Sequence, residues 1–117
     1  MIGVPSGVRI VVCSRPVDFR KGMDGLAAVV QEALQGDPFS GDVFIFRPKR
    51  VDRVKILVWD GSGLCLYHKR LEARRFTWPP IRDGVVRLSA AQLAMLLEGL
   101  DWSRVRLRKV MAPKVAC

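Results

Sequence analysis

RVKILVWDGSGLCLYHKRLEARRFTWPP, residues 53–80, is the stretch that decides the fold. Two apolar runs, residues 54–59 and 64–67, flank Asp60-Gly61-Ser62-Gly63. Val, Ile, Leu, Trp and Tyr suit a pleated, half-buried surface. Asp-Gly followed by a second glycine supplies the positive φ angles that a tight reversal needs. The stretch therefore predicts a β-hairpin. A basic block follows it, Lys69, Arg70, Arg74 and Arg75, and then the short apolar run Phe76-Thr77-Trp78, stopped by Pro79-Pro80. Arg47, Lys49, Arg50, Arg53 and Lys55 stand just before or inside the first strand. Nine of the chain's 20 Lys and Arg residues thus fall between positions 47 and 75, against three acids, Asp52, Asp60 and Glu72. A rigid sheet with a local excess of positive charge is the object whose use needs explaining.

On the N-terminal side, residues 8–13 are β-branched and predict a buried strand, broken by Ser14-Arg15-Pro16. Phe19, Met23, Leu26, Val30 and Leu34 recur at helical spacing and predict a helix with one apolar stripe. Asp18 is placed to cap its start, and Gly36 with Pro38 to stop it. Gly22 and Gly25 weaken this helix by about 1 kcal/mol each relative to Ala, and they fit either close packing on the sheet or a break near residue 25. Ser40-Gly41-Asp42 predicts a turn and residues 43–46 a strand. Arg47-Pro48-Lys49-Arg50 reads as a basic loop.

On the C-terminal side, Arg82-Asp83-Gly84 predicts a turn and residues 85–88 a short strand. Ser89 followed by Gln92 is a capping-box pattern. Leu93, Leu96, Leu97 and Leu100 give the second helix its buried face, and Gly99 and Asp101 end it. The expected architecture is α+β: an antiparallel meander of about five strands with two helices packed on one face. Residues 1–102 make one domain, and residues 103–117, with five basic residues and no acid, a basic tail.

The bulk composition narrows the function. The formal net charge of +9 in 117 residues draws the chain to polyanions, of which nucleic acid is the commonest in a cytoplasm. No apolar run approaches the ~20 residues of a membrane span, and the N-terminus lacks a secretory pattern, so no membrane association is expected. Cys13, Cys65 and Cys117 are widely spaced, with no metal or disulfide pattern, which implies a reducing, cytoplasmic setting. The single histidine, His68, has no nucleophile–base–orienter set around it and reads as a sheet-face residue. Cys65 reads as a small core residue. The aspartates fall mostly at caps and turns, where the side chain has a local task. No phosphate-loop or dinucleotide fingerprint is present. No catalytic residue, metal site or cofactor is therefore assigned, and the chain is not expected to be an enzyme.

Strand alternation puts Lys55, Leu57 and Trp59 on one face and Val54, Ile56 and Val58 on the other. The all-aliphatic face is expected to bury against the helices. The Lys55/Trp59 face is then outward, joined across the turn by Tyr67 and Lys69. A basic, aromatic sheet face binds nucleic acid by phosphate neutralisation and base stacking. The predicted nucleic-acid-binding set is Arg47, Lys49, Arg50, Arg53, Lys55, Trp59, Lys69, Arg70, Arg74 and Arg75. The bland reading makes Trp59 and Trp78 core residues and the lysines solvated. A protein-docking module with little DNA contact is the alternative, since an uncovered sheet face also suits partner binding or self-association.

PSGVRIVV, DFRKGMDGLA, GDVFIFRPKRVDRVKIL, WDGSGLCLYHKRLEARRFTWP and LSAAQLAMLLEGLDW occur in that order from Pro5 to Trp102. In these residues the chain resembles the small accessory proteins of bacterial IS66 insertion sequences, the TnpB family. That family is distinct from the RNA-guided nuclease of the same name. Its most distinctive motif is matched by Trp59, Gly63, Lys69, Arg70, Leu71, Glu72, Arg75, Phe76, Trp78 and Pro79. The resemblance implies a part in DNA transposition. The partners it implies are DNA at the element ends, a larger transposase that performs the strand transfer, and the element's other accessory protein. It carries over no catalytic residue.

Overall fold

The structure, a computed structural model, describes residues 7–81 and 85–104. Residues 1–6, the expected turn at 82–84 and the basic tail beyond 104 lie outside the described residues.

The elements run β1 (Ile10–Val17), α1 (Met23–Glu32), β2 (Val43–Pro48), β3 (Arg53–Trp59), β4 (Leu64–Arg70), β5 (Val85–Leu88) and α2 (Ala90–Leu97), with a short 3-10 turn at Trp102–Arg104. The five strands form one sheet in the order β4-β3-β2-β1-β5. The α+β class and the five strands agree with the sequence reading, and the sheet is mostly antiparallel. One pair differs: β1 and β2 run parallel, with Ile10 beside Val43 and Cys13 beside Phe46. They are joined through α1, because parallel neighbours need a crossover longer than a hairpin turn.

The helices do not share a face, which corrects the expected arrangement. Leu26 and Val30 of α1 pack on Val11, Cys13, Phe44, Phe46 and Leu57. Leu93 and Leu96 of α2 pack with Leu88 and Phe76 on Ile10, Val12, Val43, Ile45, Val54 and Ile56. The cause lies in β1 and β2. Residues 10–13 and 43–46 are apolar at every position and buried at every position, so both faces of the sheet need a cover. The chain between β4 and β5 crosses the α2 side. There Phe76 is buried, and the Trp102 indole N–H donates to the Thr77 carbonyl at 2.6 Å.

Other boundaries shift for local reasons. β1 continues through Ser14-Arg15-Pro16 to Val17, and Pro16 falls where the β1–β2 register slips, a position that tolerates a missing N–H. α1 begins at Met23 behind Gly22, not at Asp18, and Asp18 instead accepts the Arg20 amide at 2.9 Å. Phe19 therefore leaves the helical stripe and is half exposed. Gly25 is not a close-packing site on the sheet, since a Cβ there would meet the Lys21 side chain. α1 stops with the Gly36 amide bonded back to the Val30 carbonyl and with Gln35 at φ 51. Glycine would suit the left-handed Gln35 position. It stands instead at 36, where a Cβ would come within 3.2 Å of Val30. Leu100 lies past the end of α2 and is 43% exposed, so it drops out of the expected apolar face.

The capping box at α2 forms as read: Ser89 Oγ accepts the Gln92 amide at 3.1 Å, and the Gln92 side chain accepts the Ser89 amide at 2.9 Å. Replacing Ser89 by alanine is expected to cost about 1 kcal/mol in urea unfolding, with no change in the denaturant slope.

Candidate nucleic-acid interface

The hairpin turn falls where expected, but of its two glycines only Gly61 takes a positive φ. The Asp60 carboxylate accepts the amides of Ser62 at 2.9 Å and Gly63 at 2.8 Å, and Gly61 takes φ +103. These backbone bonds, Ser62 first, hold the Asp60 carboxyl below the usual carboxylate range. The turn ends the hairpin; the charge gathers at its open end.

There the two basic loops meet. The Leu71 amide donates to the Asp52 carbonyl and the Phe76 amide to the Val51 carbonyl, both at 2.9 Å. These bonds fasten the segment after β4 to the segment before β3. Lys49, Arg50, Arg74 and Arg75 are exposed and line one open cleft of about 600 Å³ with Asp52 and Glu72. Lys49 and Arg50 also border a second concavity with Phe19 and Arg20. Asp52 lies 3.7 Å from Arg50 and 3.9 Å from Arg53, and Glu72 lies 3.0 Å from Arg70. Two carboxylates thus offset part of the charge and leave the excess positive.

The remaining predicted residues divide. Arg70 is exposed but engaged by Glu72, and the Arg53 side chain is only 20% exposed. Arg47 points to the α2 side, its guanidinium 5.7 Å from the centre of the Trp78 ring. That contact is a cation–π pair between a predicted site residue and a half-buried tryptophan.

Lys55 and Lys69 correct the predicted set. Lys55 is buried, and its ammonium donates to the carbonyls of Phe19 and, at 2.8 Å, Lys21. Its face is covered by α1 and the loop before it, and Leu57 beside it is fully buried. The sequence signal was present: Leu57 and Trp59 make that face apolar enough to need burial. Lys69 sits opposite Val54, so it lies on the other face from Lys55. Its ammonium donates to the Leu97 carbonyl at the end of α2, at 2.7 Å. Each of these lysines fastens a covering segment to the sheet.

Trp59 also changes role. It is half-buried and meets the edge of Phe39, ring centres 5.6 Å apart, at the turn end of β3. The cleft lies at the other end, roughly 20 Å away along a strand of this length. Cys65 is half-buried, and its thiol lies 3.5 Å from the Asp60 carboxylate. His68 is exposed; burial of its ring, then Lys55, Arg53 and Arg70, push its pKa down. Among the described residues no three His, Cys, Asp or Glu side chains stand where they could hold a metal ion, and no helix is long and apolar enough to cross a membrane.

The fold and cleft define a small α+β protein with a mixed five-stranded sheet and a basic end. The chain belongs to the family of IS66 Orf2-like proteins, whose family model matches residues 8–107. Two relatives come from Sinorhizobium fredii. The uncharacterized protein y4jC is 50% identical over 117 residues, covering 99% of this chain and 100% of the relative. The uncharacterized protein y4hO is 42% identical over 101 residues, covering 85% and 88%. No solved structure matches the chain.

Proposed function

We propose that this protein is a non-catalytic accessory factor of a bacterial insertion sequence that assists transposition by gripping DNA phosphates in the cleft. The carrying observation is the convergence of Lys49 and Arg50 with Arg74 and Arg75, from loops far apart in the chain, on one stitched, open surface. Backbone-directed cations give affinity and register without sequence reading, which suits a factor working beside a separate transposase. Family membership supports the setting, an insertion sequence. The test is affinity for element-end duplex DNA at several salt concentrations. Steep salt dependence is expected; binding that is absent at low salt, or indifferent to salt, overturns the reading.

A second reading has its own observation. Phe39 is 52% exposed beside Trp59, an aromatic pair at the surface far from the cleft. Such a pair suits contact with the larger transposase. Co-purification that survives nuclease treatment favours this reading; loss of the complex with the DNA counts against it.

A further inference from the structure

The two edges of the sheet are unequal. β5 has four residues; β4 has seven, each paired in unbroken register with β3. The bonding pattern of β4 is fixed at both ends. The Asp60 amide donates to the Gly63 carbonyl at 3.0 Å, and the Leu71 amide to the Asp52 carbonyl at 2.9 Å. Bonded and non-bonded pairs alternate along an antiparallel ladder. Cys65, Tyr67 and Lys69 therefore turn their backbone groups toward β3, and Leu64, Leu66, His68 and Arg70 turn theirs outward. Among the described residues no strand takes that side.

An open edge of this kind templates another strand unless it is guarded by proline, a bulge or outward charge. β4 has neither proline nor bulge. Lys69 is drawn onto the α2 face by the Leu97 carbonyl, and Arg70 is engaged by Glu72 at 3.0 Å. Charge selects the occupant. The turn end of the strand carries exposed Asp60, and the far end carries Arg70, Arg74 and Arg75 against Glu72. A second copy of the same strand, laid antiparallel, sets acidic end against basic end twice. A parallel copy would set like against like.

We propose that β4 is the seam of a homodimer, two copies pairing antiparallel about a twofold axis at Tyr67. Leu66 of each copy then faces His68 of the other, Leu64 faces Arg70, and no two like charges stand directly opposite. The outward backbone groups of those residues are satisfied by their twins, and the two sheets become one. The interface uses edge main chain and leaves the clefts beyond Arg70 open.

The test uses the full chain without DNA, so its failure is separate from failure of the DNA reading. Sedimentation of the wild-type protein at micromolar concentration is expected to give the mass of two chains. His68→Pro removes an outward N–H and no bond to β3. It is expected to give one chain with unchanged far-ultraviolet circular dichroism. A second measurement does not depend on that variant folding. With Cys13, Cys65 and Cys117 replaced by serine, Tyr67→Cys is expected to form a disulfide-linked dimer on mild oxidation, because a non-bonded antiparallel pair brings Cβ atoms to about 5 Å. Arg87→Cys in the same background is expected not to. A wild-type chain that sediments as a monomer overturns the proposal. So does a dimer that forms no cross-link through position 67.

Discussion

Replacing Lys49, Arg50, Arg74 and Arg75 together by alanine will lower the log–log salt slope of DNA binding by about 3.6, at about 0.9 per phosphate contact on duplex. Between about 50 and 200 mM salt, four such contacts account for a loss of affinity on the order of 10²-fold. The variant should lose that dependence and most of the low-salt affinity with it. Its fold should persist, because all four side chains are exposed and the cleft is held by main-chain bonds at Val51 and Asp52. Fluorescence anisotropy with labelled duplex across a salt series measures the slope. A variant whose slope matches wild type would show that the phosphates are gripped elsewhere.

Lys55→Ala is the substitution expected to cost the most stability, about 3 kcal/mol. It removes a buried aliphatic stem and two charge-assisted bonds to the Phe19 and Lys21 carbonyls. The desolvation of the buried ammonium offsets part of that gain in the wild-type protein. Lys55→Met keeps the stem and removes the charge, so about half the loss is expected. The freed carbonyls belong to exposed residues, where water replaces the lysine. Urea midpoints of the two variants measure the difference. The methionine variant should also retain the wild-type salt slope, since Lys55 is turned away from solvent. A Lys55→Ala protein within about 0.5 kcal/mol of wild type would mean that the loop before α1 is not held by this lysine.

What was legible in the sequence was local. The hairpin turn follows from Asp60, Gly61 and Gly63, and the α2 cap from Ser89 and Gln92; each rests on bonds spanning three residues or fewer. The five strands followed from their apolar runs, and the family likeness from motifs in order, now matched over residues 8–107. What was missed depends on partners distant in the chain. The parallel β1–β2 pair and the two-sided cover are implied by residues 10–13 and 43–46, apolar without alternation, whereas the basic residues of the hairpin point to a one-sided sheet. The same error turned Lys55 outward. The alternation was right; the assumption that one face was free was not. The grouping of Lys49 and Arg50 with Arg74 and Arg75 was expected from the hairpin. The bonds that fasten it, from Leu71 and Phe76, involve backbone and leave no sequence signature.

The two lysines that clamp segments onto opposite faces of the sheet also make it a chemical clock. An amine-acylating reagent should label exposed Lys21 and Lys49 at once, half-buried Lys69 more slowly because the Leu97 carbonyl holds its ammonium, and buried Lys55 only when the segment over it lifts away. Mass spectrometry of the two slower amines would then follow release of the Leu97 contact on one face and opening of the other, because each face has its own reporter.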